Sequence, residues 1–255
     1  VVSGLEAAGL FAAAAVGAMM NAVAGGGSFL TFPALLFTRV PPIEANATST
    51  IALWSGVVAS SGAYRERLVT PRRILWPLLA ASVAGGLGGA VLLLHTPQKT
   101  FMQLVPWLIL AATLLFIFGN RLKMLGHGGM GHQASGLAVA LATAFELVAA
   151  GYGGFFGGGL GFVHLGMLAV LGMSDIHEMN AIKTVLGSVI NVVAVVVFVA
   201  GRVIVWPQAV VMIAGGILGG WFGAHYAQKI NPRHVRWAVI VIGLGLSAYF
   251  FVAYR

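Results

Sequence analysis

The sequence predicts an all-α integral membrane protein with two homologous halves, each a glycine-broken helical element followed by three transmembrane helices. Three observations predict it. Of the 255 residues, 59% are hydrophobic and only 8% are charged, whereas soluble domains carry about 25% charged residues. So few charges cannot cover a water-facing surface. Two glycine-rich breaks, Gly25-Gly26-Gly27-Ser28 and the run from Gly153 to Gly161, interrupt otherwise unbroken apolar stretches. Lastly, rare polar residues recur at a fixed offset of 134 between the two halves.

The uncharged windows place the elements in order. Residues 7–38 hold no charge and contain the first break, so they divide into a helix near 7–24 and a short helix near 28–38. Spans near 45–64, 74–94 and 100–119 complete the first half, residues 1–119. A polar linker at 120–134, expected on the cytoplasmic side, leads to the second half, residues 135–255. That half holds a broken element at 135–172 and spans at 178–200, 207–226 and 236–254. Spans of about 20 residues suit a hydrocarbon core of about 30 Å at about 1.5 Å per residue. The segments 28–38 and 160–172 are too short to cross alone and read as half-helices or re-entrant elements. The first apolar segment lacks a basic front region and a cleavage site, so it reads as a membrane helix.

At the offset of 134, Gly25 meets Gly159, Gly27 meets Gly161, Glu44 meets Glu178 and Asn46 meets Asn180. Thr50 meets Thr184, and Gly85-Gly86-x-x-Gly89 meets Gly219-Gly220-x-x-Gly223. Glycine matches are cheap in this composition. The glutamate and asparagine matches are not, because the chain holds only six acids. The pattern is that of a duplicated transporter-type unit. If each broken element enters and returns, each half has odd parity and the halves are inverted. The connectors 65–73, 120–134 and 227–236, where bases concentrate, then all face the cytoplasm, as positive loops prefer. Four simple crossings per half would put 227–236 outside.

The net charge of +8 comes from bases in short connectors, with no interleaved aromatic stripe, so nucleic acid is not expected as a partner. The expected partners are a small anionic solute and the bilayer, with a homodimer as the one assembly entertained. The chain has no cysteine, which excludes disulfides, thiolate metal sites and cysteine nucleophiles. It shows no HExxH, GxSxG or clustered carboxylate pair, so neither an enzyme, a metal site nor a cofactor is expected.

The candidate site centres on the breaks. A broken helix in lipid is costly unless its freed backbone lines a polar cavity. Helices starting at Ser28 and Leu160 would aim unsatisfied N–H groups and a positive dipole end at that cavity. Gly25, Gly26, Gly27, Gly158, Gly159 and Gly161 then form an anion cradle, and Ser28 serves as cap and donor. The plain alternative, close helix packing, is assigned to Gly85-Gly86-x-x-Gly89 and its mate. Asn46, Ser49, Asn180, Lys183 and Thr184 lie on the helices that follow and are the candidate side-chain contacts. Asn180, Lys183/Thr184, Ser188 and Asn191 share one helical face, which suits a cavity and equally suits interhelical hydrogen bonds. Glu146, deep in its segment, is the candidate for proton coupling, and its pairing with Lys183 is left open. His164 reads first as a packing residue. Glu44 and Glu178 read as helix-start residues.

Along these motifs the chain resembles the TauE/SafE family of sulfite exporters. The likeness is carried by Gly25-Gly26-Gly27-Ser28-Phe29-Leu30, Pro33, Pro41-Pro42 and Ala45 through Ser49. In the second half it is carried by Gly157-Gly158-Gly159-x-Gly161-Phe162 and Met179 through Asn191, with no counterpart to Pro33. The resemblance covers nearly the whole chain. It implies export of sulfite or related sulfur oxyanions, including organosulfonates, across a bacterial inner membrane. Two rivals are kept: a cation or metal exporter using Glu146, His164 and break carbonyls, and a membrane-embedded enzyme.

Overall fold

The computed structural model describes residues 2–23, 25–61, 70–122, 135–173, 175–226 and 232–253. These form ten helices and no strand. They are α1 (Gly4–Val23), α2 (Ser28–Phe37), α3 (Pro42–Ser61), α4 (Arg72–His95), α5 (Gln98–Leu122), α6 (Gly136–Phe155), α7 (Leu160–Val170), α8 (Ile176–Ala200), α9 (Trp206–Tyr226) and α10 (Pro232–Ala253). Four stretches among the described residues are long and apolar enough to cross a membrane: Gly4–Ala22, Arg72–His95, Gly136–Phe155 and Glu178–Ala200. Most of the expected linker 120–134 lies outside the described residues, as do 62–69 and 227–231. Arg65, Arg67, Lys123, His127, His132 and Lys229 fall there.

Local chemistry sets the helix starts. Pro42 and Pro232 open α3 and α10, and Pro71 stands just before α4, where a missing N–H costs nothing. Ser135 caps α6 by accepting from the Ala138 amide at 3.2 Å. Glu44 and Glu178 sit in the first turns of α3 and α8, where a carboxylate meets the positive dipole end. Each is also tied across the fold. Gln98 donates to Glu44 at 2.6 Å, and Thr70 donates to Glu178 at 2.7 Å.

Close helix contact rests on small residues. A Cβ on Gly85 would lie 2.3 Å from the Leu147 carbonyl, and one on Gly219 would lie 1.9 Å from the Ala15 carbonyl. Thus α4 packs on α6 and α9 packs on α1 with backbones nearly touching. The same two helices also press on the long helices behind the breaks. A Cβ on Gly86 would meet Ile190 of α8 at 3.3 Å, and one on Gly220 would meet the Gly56 carbonyl of α3 at 2.2 Å.

The largest apolar core lies around α2 and the end of α6. Phe32 packs edge-on against Phe101 and Phe156, with ring centroids 6.2 and 5.8 Å apart. Phe250 adds a third ring at 6.1 Å from Phe32. Phe155 and Phe156 at the end of α6 bring this aromatic cluster up to the second break.

Candidate functional site

The first break follows directly from its glycines. Gly25 and Gly26 have φ of 90° and 80°, a region other residues enter only with strain. The chain leaves α1 with the Gly25 amide still bonded to the Met20 and Asn21 carbonyls. The hydrogen bonds of α2 begin with Phe29 N to Gly26 O at 3.0 Å and Leu30 N to Gly27 O at 3.1 Å. The amides of Gly27 and Ser28 therefore stand ahead of the ladder. Gly27, not Ser28, holds the N-cap position, and no side chain caps α2. Ser28 is the first helical residue, so its hydroxyl does not cap, contrary to the expectation from sequence.

The second break has the same character. Gly157 and Gly159 have φ of 73° and 75°, and Gly159 caps α7 in the left-handed conformation. The amides of Phe156 and Gly157 both bond to the Tyr152 carbonyl, at 2.9 and 3.1 Å. The Tyr152 hydroxyl donates to the Gly158 carbonyl, bracing the loop from inside.

A cavity of about 70 Å³ lies where the two breaks approach α3 and α8. Asn21 and Gly25 supply one wall, and Ser60 of α3 a second. Gly157, Gly161 and His164 supply a third, and Lys183, Thr184, Gly187 and Asn191 of α8 line the rest. Lys183 is 7% exposed. No hydrogen bond or ion pair engages it among the described residues.

Of the candidate contacts and the polar face singled out from sequence, Gly25, Gly161, Lys183, Thr184 and Asn191 line this cavity. Gly26, Gly27, Ser28, Gly158 and Gly159 are buried beside it and are not on its wall. Asn46 is turned away, its Nδ2 donating to the Phe155 carbonyl at 3.1 Å. Ser49 bonds Thr31 at 2.5 Å, and Thr31 in turn donates to the Gly27 carbonyl, which ties α3 to the first break. Asn180 is not on the wall either, and its Oδ1 is buried without a partner. Thr184 also donates to the Asn180 carbonyl at 2.7 Å.

Glu146 is fully buried behind the cavity. Its Oε1 accepts from Ser82 Oγ at 2.6 Å, and its Oε2 lies 3.2 Å from His164 Nε2. Lys183 does not pair with it. His164 is the residue the sequence undervalued: it is also fully buried, yet it is among the residues that line the cavity. Asn21 and Gly157 were missed as contacts. Both stand next to a break, and the adjacent break was the signal that could have found them.

A multi-pass helical membrane protein with two glycine breaks meeting at a polar cavity is of transporter type, and the comparisons agree. Residues 10–250 match the family described as Sulfite exporter TauE/SafE. The chain belongs to the TauE/SafE family. It is 29% identical over 240 residues to a probable membrane transporter protein of Haemophilus influenzae, covering 94% of this chain and 92% of the relative. It is 25% identical over 244 residues to the probable membrane transporter protein YfcA of Escherichia coli K12, covering 94% and 87%. A similar likeness, 25% over 240 residues covering 93% and 89%, links it to the probable membrane transporter protein ORF9 of a Sinorhizobium species. No solved structure matches the chain. The family and these names indicate a membrane transporter rather than an enzyme.

Proposed function

We propose that this protein is a secondary transporter that exports a small sulfur-containing oxyanion, sulfite or an organosulfonate, across the bacterial inner membrane by alternating access. The observation that carries the reading is Lys183, a buried cation with no partner among the described residues, on the wall of a cavity bounded by both glycine breaks. A charge in that position is costly without a counter-ion. An entering anion supplies one. The backbone around Gly25 and Gly161, the Thr184 hydroxyl and Lys183 are the proposed contacts. Asn46, Ser49 and the remaining break glycines shape the site from behind. Glu146 is the proposed proton carrier.

We infer further that the halves, 1–119 and 135–255, are inverted repeats. Contacts related by the offset of 134 support this: Gly86 approaches Ile190 as Gly220 approaches Gly56. With inversion, the basic connectors all face the cytoplasm, and alternating access comes from one repeat moving against the other. A cation-export reading would draw on Glu146 and His164, but Lys183 in the same cavity opposes it.

The test is flux from liposomes holding the purified protein, with sulfite, methanesulfonate, sulfate, thiosulfate and divalent metal ions as separate solutes. Flux of sulfite or methanesulfonate above empty liposomes supports the proposal. Flux of metal ions alone, or of no solute, overturns it.

A further inference from the structure

Three buried polar side chains sit in a row behind the cavity, one each from α4, α6 and α7. Ser82, Glu146 and His164 are each 0% exposed. The Ser82 hydroxyl occupies one carboxylate oxygen of Glu146. The other oxygen lies 3.2 Å from His164 Nε2 but is not aligned for a hydrogen bond, and His164 Nδ1 has no partner. A buried carboxylate and a buried imidazole with unspent hydrogen-bonding capacity form a poor structural tie, because unmet polar atoms are costly. They form a good place to keep a proton that comes and goes.

We propose that the Glu146–His164 pair holds the proton that accompanies each anion, and that the cavity selects solutes of single negative charge. This rests on the anion reading above. The argument is one of charge balance. Without a proton the pair carries −1, which offsets the +1 of Lys183. With a proton the pair is neutral, whichever partner holds it, and Lys183 is left to balance one monoanion. The site is neutral when empty and neutral when loaded, provided proton and anion arrive together. An anion without the proton, or a dianion with it, would leave a net charge buried in a low-dielectric site. The proton is drawn from water in the cavity, resides on the His164 ring or the Glu146 carboxylate, and returns to water when the anion leaves. Proton and anion each favour the other by the same factor.

The other titratable groups do not disturb this balance. On α8, Glu178 is held by Thr70. On α6, the Tyr152 hydroxyl is given to Gly158. On α4, Arg72, Arg73 and His95 lie at the helix ends, as Lys99 does on α5. The first half has no second relay: the offset of 134 carries Glu146, His164 and Lys183 onto Ala12, Leu30 and Ser49. One proton site per chain follows.

The experiment is calorimetric titration of the full-length detergent-purified chain in buffers of different ionisation enthalpy, from about pH 5 to about pH 9, which spans histidine titration. Methanesulfonate, which has no titratable proton in that range, is the first probe. Sulfite is the second, with its own protonation measured in the same buffers. The wild type should take up close to one proton per anion on the alkaline side, and uptake should fade on the acid side. Glu146→Gln should still bind methanesulfonate but take up no proton, whereas His164→Gln leaves the carboxylate to be neutralised and should bind with proton uptake retained. A purely structural role would weaken binding and leave the proton count unchanged. Anion binding without proton uptake at any pH overturns the relay alone, as does uptake that persists in Glu146→Gln. If neither probe binds the wild type, the anion reading falls and the relay falls with it. If the variants do not fold, the wild-type proton count decides the matter.

Discussion

The indole Nε1 of Trp54 donates to the Ser188 hydroxyl at 3.3 Å, and these residues stand 134 positions apart. That is the offset of the proposed internal repeat. Two residues equivalent in the two halves can touch only where the halves meet their own symmetry axis. The proposed two-fold therefore runs between α3 and α8 at this pair. A contact on the axis maps onto itself when the halves exchange roles, so it should survive both states of the transport cycle. The chain contains no cysteine, so thiols placed by Trp54→Cys and Ser188→Cys would be the only ones present. A tryptophan's reach exceeds that of a disulfide, so a short bifunctional thiol reagent should be used. Bridged protein in liposomes should keep most of its sulfite flux. Loss of flux on bridging, with flux intact before it, would remove the pair from the axis.

Off-axis contacts should instead alternate. Asn46 donates to the Phe155 carbonyl. The offset carries this pair onto Asn180 and Asn21, yet among the described residues the Asn21 carbonyl accepts from the Gly25 amide, and Asn21 itself lines the cavity. One latch is closed and its twin is open. Asn46→Ala should disfavour this state and Asn180→Ala should favour it. A hydrogen bond nets about 1 kcal/mol, a shift of about five-fold in the ratio of states. The labelling rate of a thiol placed on the cavity wall by Ser60→Cys reads that ratio. It should fall with the first variant and rise with the second. Shifts in the same direction would contradict the exchange.

The sequence carried the class of the protein plainly and the site only in outline. A charge content of 8% leaves no other solution than a membrane, and glycine runs inside apolar stretches mark where helices must break. Side-chain direction was not legible. Asn46 and Asn180 look alike in sequence, but one is spent on Phe155 and the other is not. His164 looked like packing because a lone histidine carries no partner in its own segment. Its partner, Glu146, is 18 positions away on another helix, and only the fold brings the two within 3.2 Å.

Gly187 separates stability from transport. It lies inside α8, lines the cavity, and an added Cβ would meet nothing within 4 Å. Gly187→Ala therefore gains helix propensity, worth about 1 kcal/mol at most. The methyl group also takes space from a cavity of about 70 Å³. The thermal midpoint in detergent should rise slightly while sulfite flux falls. Unchanged flux would place the solute elsewhere.

Gly85 and Gly219 should behave as a matched pair with no part in binding. Alanine at either would drive a methyl into a carbonyl, of Leu147 or of Ala15. Such overpacking costs about 1–3 kcal/mol. Both variants should lower the thermal midpoint, and folded protein should bind methanesulfonate with unchanged affinity. A stable Gly219→Ala would mean that α1 and α9 are not in contact as described.

Lys183 gives the most direct test of anion binding. It is buried, unpaired among the described residues, and placed on the cavity wall. Its ammonium is therefore available to a bound anion, and a hydrogen bond to a charged group contributes about 1.5–3 kcal/mol. Lys183→Gln should change the thermal midpoint of the empty protein little, because the Glu146–His164 pair can keep a proton and stay neutral once the lysine charge is gone. The same change should weaken methanesulfonate binding by about 10- to 100-fold, the factor that energy range implies. Lys183→Arg keeps the charge but needs more room, so it should retain binding at reduced affinity. Stabilisation by the anion, read as the rise in thermal midpoint at saturating methanesulfonate, should shrink in the glutamine variant and persist in the arginine variant. If Lys183→Gln lowers stability and leaves affinity unchanged, the lysine is a structural tie and the anion binds without it.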